Sequence, residues 1–135
     1  MIPDSQILTI EIFTVAGIVP FTEWLDHLPD LQARARIRAR VDRLETGNPG
    51  RYEDLRGGLR ELKIDWGPGY RVYWAQIGRT IVLLLCGGDK RSQTRDIETA
   101  RKYLAEYMER RDEAKVRSKN SPPPSRQISR AHRRR

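Results

Sequence analysis

The stretch LRELKIDWGPGYRVYWAQIGRTIVLLLCG, residues 59–87, constrains the fold more than any other part of the chain. It reads as three strands, at about 59–65, 70–77 and 80–87, parted by the turns WGPG and IGR. Connections this short leave no room for a crossover, so the three strands must pair antiparallel as a meander. The third strand is apolar almost throughout, which predicts a central place in the sheet. In the first strand alternation sets Leu62 and Ile64 on one face and Glu61 and Lys63 on the other. In the second, Arg71, Tyr73 and Ala75 share a face opposite Tyr70, Val72 and Trp74. Arg60, Glu61, Lys63 and Arg71 crowd many charges into a small sheet.

Upstream, ILTIEIF alternates, with Leu8, Ile10 and Ile12 to one side and Thr9 and Glu11 to the other, the pattern of a half-buried strand. PFTEWLDHLP then spaces Phe21, Trp24, Leu25 and Leu28 helically, with Pro20 suited to a first turn and Pro29 to an end. Asp30 is placed to cap a second helix whose apolar stripe is Ala33, Ile37, Val41 and Leu44, ending at TGNPG. Arg34, Arg36, Arg38, Arg40 and Arg43 occupy its other faces. After the meander, GGDKRSQ is a loop, and Ser92 or Thr94 can cap a last helix that buries Ile97, Ala100, Leu104 and Tyr107. The predicted fold class is α+β, in the order β-α-α-β-β-β-α, with a mainly antiparallel sheet packed by helices.

Length and charge narrow the class further. A chain of 135 residues with 38% hydrophobic residues suits one domain and one core. Residues 112–135 hold eight Lys/Arg against two Asp/Glu, a net +6, while residues 1–111 hold 18 against 16, a net +2, which together make the chain's +8. The C-terminal stretch, with three consecutive prolines and few apolar residues, reads as a disordered basic tail. Two readings of the tail stand: a non-specific nucleic-acid contact and a passive extension. Cys86, the single cysteine, allows no internal disulfide and reads as a small buried hydrophobe. The sequence has no signal peptide and no apolar run near membrane-spanning length, so a cytoplasmic protein with no membrane association is expected.

The cations suggest an anion site. Lys90 and Arg91 follow the third strand at the start of the last helix, where backbone N–H groups favour negative charge. With Lys63 and Arg71 they are predicted to converge on a phosphate. The chain has only two histidines, His27 and His132, which argues against a two-histidine ribonuclease. No His/Cys spacing suggests zinc and the carboxylates form no evident magnesium cluster, so neither a metal nor another cofactor is expected. Phosphodiester cleavage would then proceed by attack of an RNA 2′-OH on its neighbouring phosphate, with Lys and Arg stabilising the developing charge. The alternative is that these cations form surface ion pairs with Glu61, Asp65 and Asp89.

LRELKIDWGPGYRVYW, followed by IVLLLCGGDKRSQTRDIETA, resembles the RelE/ParE toxin superfamily, and within it the HigB-like addiction-module killer proteins. The resemblance covers roughly residues 8–108. It implies a compact RelE-like fold over residues 1–111, with residues 112–135 as the tail. It implies a type II toxin, neutralised by a cognate antitoxin protein encoded nearby. It also implies a metal-free mRNA interferase that cleaves messages on the ribosome. Under that resemblance Lys63 matches a catalytic strand lysine, Arg71 the transition-state arginine, and Lys90 or Arg91 a basic residue after the last strand. The site assigned on this basis has Lys63, Arg71 and Lys90 as catalytic, with Arg60, Arg91 and Arg95 as neighbouring cations expected to bind RNA phosphate. Glu61 departs from the pattern, standing where the RelE branch has another lysine. Thr94, Arg95 and Asp96 occupy the neighbourhood of that branch's late tyrosine. ParE-type relatives inhibit DNA gyrase without cleaving RNA, so a binding-only toxin and a degenerate antitoxin-binding member are the alternatives.

Overall fold

The computed structural model describes residues 7–120, in an α+β arrangement of a five-stranded mixed sheet and three α-helices. The elements are β1 (Thr9–Ile12), α1 (Pro20–Asp26), α2 (Leu31–Arg43), β2 (Tyr52–Asp54), β3 (Leu59–Ile64), β4 (Tyr70–Ile77), β5 (Ile81–Asp89) and α3 (Gln93–Asn120). Short 3-10 turns at Leu44–Thr46 and Lys90–Ser92 follow α2 and precede α3. Strands β3, β4 and β5 form the expected antiparallel meander. The sheet order is β1-β5-β4-β3-β2, so β4 is the middle strand, and β5 lies inside the sheet between β4 and β1.

Two features depart from the sequence expectation. Strand β2 was not anticipated; it is a three-residue edge strand paired antiparallel with β3, too short to leave a periodic signature. Strand β1 pairs parallel with β5, Ile10 opposite Val82. A parallel partner so distant in sequence leaves no mark on the local pattern. Leu8 and Ile10 pack as expected, but Ile12 remains 40% exposed.

Both faces of the sheet carry core, the face of Glu61 and Arg71 included. On one face α1 and α2 bury Phe21, Leu25, Ala33, Ile37, Val41 and Leu44 against Leu62, Ile64, Val72, Trp74, Val82 and Leu84. Asp30 caps α2 as anticipated, its Oδ1 accepting from the Gln32 N–H at 2.9 Å and the Ala33 N–H at 3.2 Å. On the other face α3 seals Leu59, Tyr73, Ala75, Ile77, Leu83 and Leu85 with Ala100, flanked by Ile97, Leu104 and Tyr107. A bulge between the pairs Tyr73–Cys86 and Trp74–Leu84 leaves Leu85 as an extra residue, so Leu85 and Cys86 both turn toward α3.

Helix α3 continues to Asn120, so residues 112–120 are helical rather than part of a disordered tail, with the side chains of 112–119 exposed. Residues 121–135, the remainder of that expected tail, lie outside the described residues. No helix among the described residues is long and apolar enough to cross a membrane.

Candidate nucleic-acid interface

The site forms around the turn that joins β3 to β4. The Gly69 N–H donates to the Trp66 carbonyl at 3.0 Å, and the Lys90 N–H donates to the Gly69 carbonyl at 2.9 Å, tying the turn to the end of β5. Gly69 has φ +87°, a conformation L side chains rarely adopt, and an added Cβ would lie 3.6 Å from Arg71 Nη1 and 3.5 Å from Lys90 Cδ. The glycine turn therefore sits between these two cationic side chains. Asp65, Trp66, Gly67, Pro68, Gly69, Arg71 and Lys90 line a shallow cavity of about 250 Å³.

Register extends the cluster along the sheet. Lys63 stands directly opposite Arg71, and Arg71 opposite Gly88. Lys63 Nζ pairs with Glu53 Oε1 at 2.7 Å across the edge strand. That hydrogen bond and the ammonium charge hold the Glu53 carboxyl below its ordinary range. Lys63 is thus a neighbour of the cavity engaged by an exposed carboxylate, one an incoming phosphate can displace at small cost.

Behind Arg71 lies a buried polar network. Glu61 is completely buried, its Oε2 accepting from Gln93 Nε2 at 2.7 Å and standing 3.9 Å from Arg71 Nε. Arg71 is 7% exposed and donates through Nη1 to the Tyr70 carbonyl at 3.1 Å. Tyr73 pairs across the strands with Glu61, and burial together with the Glu61 carboxylate raises its phenol strongly. Glu61 Oε1, Arg71 Nε and Tyr73 Oη find no hydrogen-bond partner among the described residues. Gly88 lets the α3 N-terminus close over this network, because a Cβ there would fall 1.8 Å from Asp96 Oδ2. Of the alternatives weighed from sequence, the Glu61 ion pair therefore exists, but as a buried one. Glu61, Tyr73, Gln93 and Asp96 were not singled out as one unit. The Glu61–Tyr73 pairing follows from the turn register; the cover supplied by α3 does not.

The remaining sequence candidates are dispersed. Arg60 shares the parity of Leu62 and Ile64, on the sheet face away from Arg71, with its guanidinium 5.2 Å from the Trp74 ring centroid and 5.7 Å from that of Tyr52. Arg91 and Arg95 line a separate, wider cavity with Asp89, Ser92, Thr94 and Glu98. Arg91 Nη2 donates to Asp89 Oδ2 at 3.0 Å, which lowers the Asp89 carboxyl and raises the guanidinium. The structure brings Arg71 and Lys90 together with Lys63 adjacent, and leaves Arg60, Arg91 and Arg95 apart from them. Ser92, one of the two residues expected to cap the last helix, bonds the Asp96 carboxylate, and Asp89 caps the preceding turn by accepting from the Arg91 N–H at 2.8 Å. Cys86 is buried, and desolvation pushes its thiol up to about 12, away from nucleophilic use. His27 sits at the exposed end of α1 with Nδ1 2.7 Å from the Glu23 carbonyl. Among the described residues no group of three or more His, Cys, Asp or Glu is placed to hold a metal ion.

The α2 side of the cavity is also cationic. Arg36 lies 3.8 Å from the Trp66 ring centroid, and Trp66 Nε1 donates to Asp30 Oδ2 at 3.0 Å. Arg40 bridges the Lys63, Pro49 and Arg51 carbonyls at 2.7, 3.2 and 2.6 Å, and Arg51 pairs with Asp65.

Comparison with known proteins gives the lineage. An uncharacterized protein of Haemophilus influenzae is 45% identical over 101 residues, covering 75% of this chain and 98% of that protein. Residues 23–108, from α1 through the cavity to the middle of α3, match the family described as phage derived protein Gp49-like, and with that match the chain belongs to the Gp49-like family.

Proposed function

We propose that this protein is the toxin of a type II toxin–antitoxin system and that it cleaves mRNA without a metal ion. Membership of the Gp49-like family supports the toxin–antitoxin module, and with it a cognate antitoxin partner. The observation that carries the RNA-cleavage reading is the convergence of Arg71 and Lys90 on one open cavity, with Lys63 on the neighbouring strand. The proposed substrate is mRNA on the ribosome, in the cytoplasm. The RelE/ParE resemblance, with its HigB-like branch, supplies the same assignment.

The chemistry is an intramolecular transesterification. The 2′-hydroxyl oxygen of one nucleotide loses its proton and attacks the adjacent phosphorus, the P–O bond to the 5′-oxygen of the next nucleotide breaks, and that oxygen takes up a proton, so a 2′,3′-cyclic phosphate and a 5′-hydroxyl result with no net change in protons. Negative charge grows on the phosphate oxygens as attack proceeds, and fixed cations aimed at those oxygens lower the barrier. Arg71 suits this role because burial and the Tyr70 carbonyl hold its guanidinium in place beside the cavity. Lys90 supplies a second charge from the end of β5. Lys63, once released from Glu53, supplies a third.

Arg71→Ala is expected to lower cleavage by roughly 10²–10³, the usual cost of removing one preorganised charge-stabilising donor. Growth arrest on induction should be lost, with Arg79→Ala, on the exposed turn between β4 and β5, as the control. Mapping RNA 5′ ends after brief induction tests the reaction itself. A folded Arg71→Ala protein of full toxicity would sink the assignment. Growth arrest without message loss would favour a toxin that binds a protein target such as gyrase.

A further inference from the structure

Trp66 occupies an unusual position for a large aromatic residue. It opens the β3–β4 turn, half-buried, and lines the same cavity as Arg71 and Lys90. Its ring is fixed from three sides, one of them the core beneath α1 and α2, against which it packs in part. The indole N–H is held by the Asp30 carboxylate, the same group that caps α2, and the Arg36 guanidinium covers the ring at 3.8 Å. The Trp66 hydrogen bond is the main reason the Asp30 carboxyl lies below its ordinary range, so the two are matched while Asp30 is ionised. A locked aromatic beside two phosphate-seeking cations is the combination that single-stranded nucleic acid requires: charge tracks the backbone, and an aromatic or guanidinium plane takes the base.

We infer that Trp66, backed by Arg36, is the base-binding wall of the site and packs a nucleobase adjoining the phosphate held at Arg71 and Lys90. The inference rests on the RNA reading given above and names the part of the substrate that reading leaves open. The ligand is a single-stranded ribonucleotide segment, because a base locked in a duplex presents no face to an indole at the bottom of a turn. Contact by packing also tolerates more than one base, so this wall contributes affinity and placement more than sequence choice.

The test is a coupling measurement on the full-length chain. Short single-stranded RNAs carrying 2′-O-methyl groups, which block the attacking hydroxyl, are titrated against wild-type protein, Trp66→Ala, Trp66→Phe and Arg71→Ala. A single abasic nucleotide is moved along the RNA. Wild-type protein should lose affinity roughly 5- to 150-fold when the abasic nucleotide reaches the packed position, the range that one base–aromatic contact supplies. Trp66→Ala should show a similar loss with intact RNA and almost no further loss with the abasic one. Trp66→Phe keeps a ring but cannot donate to Asp30, so retained binding there separates base packing from support of α2. If the abasic penalty is the same in Trp66→Ala as in wild type, Trp66 acts only as a structural strut and the inference is overturned. If Arg71→Ala loses binding while Trp66→Ala does not, this inference alone fails and the phosphate site stands. Absence of wild-type binding at low salt also overturns it, and the growth-arrest test of Arg71→Ala then judges the phosphate site independently. Loss of neutralisation by the co-expressed neighbouring gene product, with RNA binding intact, would assign the surface to protein docking instead and likewise overturn the inference.

Discussion

Replacing Glu61 with leucine isolates the energetics of the site from its chemistry. Glu61 is fully buried and meets Arg71 at 3.9 Å and the Gln93 amide at 2.7 Å. Leucine has nearly the volume of glutamate, so cavity formation is a minor part of the effect. What changes is charge: the substitution leaves a guanidinium that is only 7% exposed without its counter-ion. Breaking one side of a buried pair costs about 3–5 kcal/mol. Here Arg71 keeps its bond to the Tyr70 carbonyl and borders an open cavity, so the cost belongs at the low end, about 3 kcal/mol. For a domain of this size that is a fall in Tm of roughly 10 °C. Urea unfolding followed by circular dichroism, with the slope checked for two-state behaviour, measures it directly. The decisive companion is Glu61→Leu combined with Arg71→Met, which removes both charges and should recover most of the loss, since a buried pair replaced by apolar groups is often close to neutral. A Glu61→Leu protein within about 1 kcal/mol of wild type would refute the reasoning, as would a double variant no more stable than the single one.

Two further outcomes follow from the same structure. A chain ending at Arg111 should melt within a few degrees of the full-length protein, because the side chains of residues 112–119 are exposed; it should also bind RNA with a shallower salt dependence, having lost eight Lys/Arg. Stability should decline on the alkaline side. Cys86 ionises from its ordinary value of 9.0 upward in the unfolded chain but only near about 12 in the fold, and a group raised by folding keeps the native state fully favoured below the lower value and weakens it above. Tyr73 is raised in the same sense from 10.0. Melting curves from pH 7 to about 11 should show Tm falling from near pH 9, and Cys86→Ala should flatten the first part of that fall; a flat profile in wild type would contradict the burial of both groups.

The antiparallel meander was legible in the residues because turns as short as WGPG and IGR permit no other connection, and alternation fixed the faces within each strand, from Glu61 to Ile64 and from Tyr70 to Ala75. Matching the face of Lys63 to that of Arg71 needed the register between the two strands as well, and the structure has them directly opposite one another. The stripe Ala33, Ile37, Val41 and Leu44 and the Asp30 cap were equally local, and all four apolar residues are buried. Parity does not say what covers a face. Whether Glu61 lies in water or under a helix depends on where α3 docks, and that depends on Gly88 admitting Asp96 and on Ala100 joining the buried cluster that holds Leu85 and Tyr73. The parallel pairing of β1 with β5 was likewise invisible, since its partners are some seventy residues apart and no local period encodes the match. Sequence proximity does not tell the cations apart: Lys90 and Arg91 are neighbours in the chain, yet Lys90 lines the cavity with Arg71 while Arg91 pairs with Asp89. The local periods determined the elements and their faces; the docking of distant elements decided which charges are buried, which are paired, and which meet at the cavity, because burial and Coulomb energy depend on distances in space that the one-dimensional pattern does not contain.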